Sequence, residues 1–154
     1  MLCCFFAVAL PARAYADATA FIGAATTPTN RQVRGFAAGV GLLIVGFEFE
    51  YATASTDETT GAPSLQTFMG NVLLQTPIPI AGMQFYVTTG AGGFRERLEP
   101  SHQEIQIGLN SGGGVKVSLL GPVRVRLDYR VFKLRGEPLH SVVHRVYGGI
   151  NLAF

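Results

Sequence analysis

Hydrophobic and polar residues alternate with a period of two along most of this chain. From Ile105 to Leu119, the odd positions include Ile105, Ile107, Leu109, Val115, Val117 and Leu119. The even ones are Gln106, Gly108, Asn110, Gly112, Gly114, Lys116 and Ser118. Val123, Val125, Leu127, Tyr129 and Val131 interleave in the same way with Arg124, Arg126, Asp128 and Arg130, and Val45, Phe47, Phe49 and Tyr51 with Gly46, Glu48 and Glu50. Successive side chains of a strand point to opposite faces, so this period predicts strands with one apolar and one polar face. The same reading predicts eight strands, near 18–25, 34–41, 43–54, 65–76, 83–95, 104–119, 122–134 and 143–154. Glycine recurs too often for an amphipathic helix.

A strand with two unlike faces fits a soluble sheet as well as a barrel in lipid, and composition separates them. Of 154 residues only 14% are charged, against about a quarter in soluble domains. The mean hydropathy is +0.30. No stretch is a membrane helix: the longest uncharged apolar run, Gly35–Phe47, has 13 residues and four glycines, where a spanning helix needs about 20 apolar positions. The polar faces are crowded with Gly90, Gly92, Gly108, Gly112 and Gly114, which suits a cramped interior, and the only lysines are Lys116 and Lys133. The expected fold is therefore all-β: an eight-stranded antiparallel up-and-down transmembrane barrel, apolar towards lipid and polar within. The odd-numbered connections, Thr26–Val33, Ser55–Ser64, Glu96–Gln103 and Arg135–Val142, are polar and expected outside the cell. Those near Leu42, Pro77–Gly82 and Leu120–Gly121 are shorter and expected in the periplasm. Tyr51, Phe68, Phe85, Phe94, Tyr129 and Phe154 are candidates for aromatic girdles at the membrane interfaces.

Residues 1–16 read as a secretory signal peptide, with an apolar region from Leu2 to Leu10 and a small-x-small site at Ala14-Tyr15-Ala16. No Lys or Arg precedes the apolar run, so the true start codon is open. Cleavage leaves residues 17–154 as one barrel domain and removes Cys3 and Cys4, which excludes a disulfide scaffold or a cysteine metal site. A net charge of +2 with dispersed arginines excludes a nucleic-acid platform.

The final segment, Tyr147-Gly148-Gly149-Ile150-Asn151-Leu152-Ala153-Phe154, resembles the C-terminal signal strand of bacterial outer-membrane barrels, with Tyr147, Gly149, Leu152 and Phe154 in the signature places. The whole chain resembles the eight-stranded outer-membrane β-barrels, whose best known branch is the transmembrane domain of the outer membrane protein A family. That resemblance implies a Gram-negative-type outer membrane, outer-membrane lipid and the barrel-assembly machinery as partners, and a structural or loop-mediated role with an unidentified loop ligand.

The candidate site is a lumen charge cluster. Glu48 and Glu50 lie on the third strand, and Arg124, Arg126, Asp128 and Arg130 on the seventh. These strands face each other in an eight-stranded barrel, whose interior is just wide enough for side chains to fill. Counting from the periplasmic ends sets Glu48 near Arg126 and Glu50 near Arg130, so the expectation is a salt-bridged plug. The alternatives are a narrow pore for ions or small solutes, and a secreted lipocalin-like barrel with its apolar faces turned inward onto a lipophilic ligand. His102 and His140 fall in loops and His144 near the top of the last strand, without the helix and Glu of a zinc motif. His140-Ser141 invites comparison with the lipid A deacylases, whose His and Ser stand one residue apart on a strand; here they are adjacent, in a loop. The expectation is therefore no enzyme, no cofactor and no metal.

Overall fold

A computed structural model describes residues 14–97, 105–136, 138 and 140–154. Eight strands follow one another: β1 (Ala14–Ala25), β2 (Arg31–Leu42), β3 (Val45–Ala54), β4 (Ser64–Gln75), β5 (Met83–Arg97), β6 (Gln106–Leu120), β7 (Val123–Leu134) and β8 (Val142–Ala153). Each pairs antiparallel with its sequence neighbours, and β8 pairs with β1 to close the barrel. The last residue takes part: Phe154 and Ala16 exchange backbone hydrogen bonds of 2.9 Å each way. Closure leaves no strand edge without a partner, the condition a sheet must meet in hydrocarbon.

The first two strands are longer than their pattern predicts, at 12 residues each. Buried Asp17 and Arg31 lie on the inner face of the extensions, and such polar residues read as chain outside a strand. The β1–β2 connection thereby shrinks to 26–30, while β4–β5 is joined by 76–82. The length contrast between the two ends is less regular than expected. We call the end bearing the connections β1–β2, β3–β4, β5–β6 and β7–β8 the loop end, and the other the turn end. Among the expected leader residues, 1–13 lie outside the described residues, and Ala14, Tyr15 and Ala16 begin β1 opposite Leu42, Gly41 and Val40.

The alternation is realised with the apolar face outward. Phe47, Phe49, Leu74, Val87, Leu127 and Ile150 are each half or more exposed, although a core would normally bury them. Arg126, Arg130, Glu50 and Asn151 are completely covered inside. This inversion removes the lipocalin-like alternative, which needs those apolar faces within. Of the girdle candidates, Tyr51, Phe68, Phe85, Tyr129 and Phe154 stand on the outer face. Phe94 does not: it is even-numbered on a strand whose odd residues face out, and it is buried in the interior.

The inward glycines permit the close approach of neighbouring strands. A Cβ on Gly92 would strike the carbonyl oxygen of Phe68 across the ladder, and one on Gly112 the carbonyl of Tyr129.

Candidate functional site

The interior is stratified along the barrel axis. Towards the loop end most inward positions are apolar: Val33, Ala54, Leu65, Phe94, Phe132, Leu134 and Val143 form one buried cluster, with buried Arg31 above it donating to the Pro63 carbonyl. Beneath it lies an ionic layer, and the turn end is lined by uncharged polar groups, Arg124 and one further ion pair.

The ionic layer joins strands that face each other across the lumen. The Arg126 guanidinium grips the Glu48 carboxylate with both Nη atoms, Nη2 donating to Oε1 at 3.2 Å. The same Nη2 donates to Asp128 Oδ2 at 2.9 Å. Arg130 donates from Nη2 to Glu48 Oε1 at 2.8 Å and from Nε to Asp128 Oδ1 at 3.1 Å, and its Nη1 lies 2.9 Å from Glu50 Oε2. Arg145 on β8 completes the set, donating to Glu50 Oε1 at 2.9 Å and to the Thr67 hydroxyl at 3.2 Å, with its guanidinium 4.1 Å from the Phe132 ring centre. Three carboxylates and three guanidinium groups thus form one neutral, buried network. Two phenols extend it. Tyr86 donates to Asp128 at 2.5 Å and accepts from Arg126 Nε at 2.7 Å, and the Tyr147 hydroxyl sits between Glu50 at 2.9 Å and Asp128 at 3.0 Å. Each of the six carboxylate oxygens accepts at least one hydrogen bond, while Arg130 Nη1 and Arg145 Nε make none; buried charges are tolerated when paired in this way.

Of the six cluster residues singled out from the sequence, the structure brings five together: Glu48, Glu50, Arg126, Asp128 and Arg130. Arg124 stands apart, nearer the turn end, with Nη1 at 3.4 Å from Gln84 Oε1 and its guanidinium 5.8 Å from the Tyr15 ring centre. Arg145, Tyr86, Lys116 and Asp17 were missed. Lys116 pairs with Asp17 across the turn end of the lumen. Parity is the signal for Tyr86 and Lys116, which share a phase with Gly90, Gly92, Gly112 and Gly114 on the polar faces of their strands. Tyr147 and Gly149, picked out as parts of the terminal signature, face inward, Tyr147 stacking on Phe21 at 4.2 Å. Leu152 and Phe154 face out.

Among the histidines, His102 lies outside the described residues and His140 in the β7–β8 connection. His144 is on the outer face of β8, its Nδ1 2.7 Å from the Tyr129 hydroxyl. Among the described residues, no ion pair joins an acid to this His–Tyr pair. In the loops, Asp57 accepts from the Thr29 hydroxyl and the Thr59 amide, both at 3.0 Å, tying the β3–β4 connection to β1–β2. Hydrogen bonding from Thr60 and Thr29 holds its carboxyl below the ordinary range.

No protein-family model matches the chain, and no curated protein matches it in sequence. Solved structures do match in shape. Neisserial surface protein A superposes with a TM-score of 0.73 at 16% identity, over 92% of this chain and 97% of that one. The N-terminal β-barrel domain of Pseudomonas aeruginosa OprF gives 0.70 at 14% identity, over 91% and 97%. This chain has the fold of the eight-stranded outer-membrane barrels. The attachment invasion locus protein Ail of Yersinia pestis matches at 0.55, with 12% identity over 92% and 98%. The outer membrane enzyme PagL matches at 0.54, with 10% identity over 88% and 98%. One barrel shape therefore carries proteins of different activity, and the site must argue function.

Proposed function

We propose that this protein is an integral barrel of the bacterial outer membrane, sealed through its lumen, whose role is structural or carried by its loops. The observation that carries the reading is the inverted distribution of polarity: half-exposed Phe, Leu, Val and Ile outside, and a closed network of ions inside. Water would not be displaced from so much contiguous apolar surface without an occupant, and lipid is the solvent that fits it.

The seal has two layers. The apolar cluster at the loop end offers an ion no ligand, and the ionic layer below fills the cross-section with side chains committed to one another. The plug is accordingly favoured over the narrow pore. No catalytic role is proposed, because among the described residues no ion pair supplies an orienting acid to the outward His144–Tyr129 pair. Outer-membrane location presupposes an export leader, proposed as residues 1–16. Its removal would begin β1 at Asp17, opposite Gly39 and Ala153, and take away the Ala16 partner of Phe154. Delivery to the barrel-assembly machinery would run through the strand ending at Phe154.

Membrane fractionation tests placement, with heat-modifiable migration of the detergent-extracted protein as the mark of a closed barrel. Planar bilayers test the seal: the wild-type protein should pass no steady current, and Arg126→Ala and Arg145→Ala should. A steady wild-type current would promote the pore instead.

A further inference from the structure

The outer face carries its charges at one end only, and they have one sign. Among the described strand residues facing outward, every formal charge belongs to Arg34 on β2, Arg95 and Arg97 on β5, and Lys133 on β7, all within the last turn of sequence before the loop end. Arg135 continues this set just past β7, its amide bonded to the Ile107 carbonyl. No outward strand position holds a carboxylate, and none of the ion pairs among the described residues involves these five cations. The turn-end rim is uncharged and apolar by contrast, with Leu42, Leu74, Leu119, Leu152 and Phe154 exposed.

The cations are organised across the strands. Arg34 stands opposite Thr53, Thr53 opposite Gln66, and Gln66 opposite Arg95, giving a lateral row of four polar side chains on β2 to β5. Directly below runs an aromatic row, Phe36, Tyr51 and Phe68, with ring centres 5.5 and 4.9 Å apart, and the Thr53 hydroxyl joins the two rows by donating to Tyr51 at 3.1 Å. That row ends at Gly93, opposite Phe68, where the Ile105 side chain packs against the glycine beneath Arg95. Aromatic rings of this kind settle where acyl chains give way to headgroups. The two arginines stand three strand spacings apart, about 14 Å, directly above that level.

From this geometry we propose that the outward face of β2 to β5 is a binding surface for an anionic lipid headgroup bearing phosphate, in the leaflet on the loop side. The proposal rests on the membrane placement argued above. Acyl chains lie against the apolar face below the rings, so the group meeting Arg34 and Arg95 is the one joined to those chains. Guanidinium groups bind phosphate oxygens in pairs, and among the described residues no ion pair joins these two to a carboxylate. Their single sign and single end would be wasted on a symmetric or neutral bilayer.

The test measures the relative association of spin-labelled phosphatidic acid and spin-labelled phosphatidylcholine with the full-length barrel in phosphatidylcholine vesicles. The wild type should prefer phosphatidic acid about fivefold, as attraction near the surface by one or two arginines implies. The triple variant Arg34→Gln, Arg95→Gln, Arg97→Gln should fall to near parity, while Glu58→Gln, in a loop, should keep the preference. Should the triple variant not fold, the single variant Arg34→Gln should lower the preference by about twofold. Equal association of both lipids with the wild type, or full preference in the arginine variants, would overturn the proposal. Loss of the preference when inorganic phosphate is added at the concentration of the labelled lipid would also overturn it, by assigning a site for soluble anions. Protein that fails to insert would instead refute the membrane reading.

Discussion

Replacing Glu48 with Gln keeps the side chain's shape and removes one charge from the neutral network, leaving three guanidinium groups against two carboxylates. Glu48 is the shared partner of Arg126 and Arg130. The 2.8 Å contact with Arg130 alone corresponds to about 6 kcal/mol of gross attraction at an effective dielectric constant of about 20. Desolvation of the ions offsets most of that while the network is whole. Once Glu48 is neutral, the guanidinium groups remain buried without the compensation, and the expected cost is about 3–5 kcal/mol. Arg126→Gln should cost a similar amount. The double variant restores neutrality and should cost less than the sum of the singles by at least about 1.5 kcal/mol. Urea unfolding in phosphatidylcholine vesicles, followed by circular dichroism or heat-modifiable migration, measures all four corners of the cycle. Additivity within about 0.5 kcal/mol would refute the coupling and with it the ionic layer as a structural unit.

Other perturbations separate the outer face, the ladder and the loops. Leu127→Arg, placing a charge on the lipid face, should cost about 2–4 kcal/mol in vesicle unfolding, against less than about 0.5 kcal/mol for Glu58→Gln. Gly92→Ala should prevent closure, because its Cβ meets the Phe68 carbonyl, whereas Gly70→Ala should close normally, the nearest atom to its Cβ being 3.8 Å away; heat-modifiable migration reads both. The Asp57 carboxyl is lowered by hydrogen bonds from Thr60 and Thr29, so the loop contact it makes is fully present above its ordinary value of 3.8 and is lost as pH falls through the lowered one. The Thr59 amide resonance should report this by moving only in acid below about pH 4, and a shift centred near neutrality would contradict it.

The sequence makes the inside and outside of each strand legible because one residue type per face repeats along it: Val125, Leu127 and Tyr129 against Arg126, Asp128 and Arg130. An even strand count with closure then sets β3 opposite β7, and this brings Glu48 and Glu50 to the β7 arginines. What parity hides is the second kind of inward residue. Val33, Leu65, Phe94 and Val143 are apolar yet face the lumen, so a rule of apolar outward misassigns Phe94 and overlooks the loop-end stopper. Tyr147 was obscured differently, since its segment reads first as a terminal signature. Asp17 was obscured because it was read as the first residue of the mature chain, where a partner such as Lys116 is not looked for. The cationic collar has no local signal at all. Arg34, Arg95 and Lys133 are far apart in sequence and share a rim only once the register of the five ladders from β2 to β7 is known.

The central claim is that polarity is inverted across a single wall, and two adjacent residues test it. Phe21 faces the lumen, stacked on Tyr147, while Ile22 beside it faces out at the same depth, 57% exposed. The chain has no tryptophan, so Phe21→Trp and Ile22→Trp each introduce a lone reporter. In vesicles of lipids brominated on their acyl chains, fluorescence from position 22 should be strongly quenched and that from position 21 nearly unaffected. Equal quenching at both positions, or stronger quenching at 21, would contradict the account.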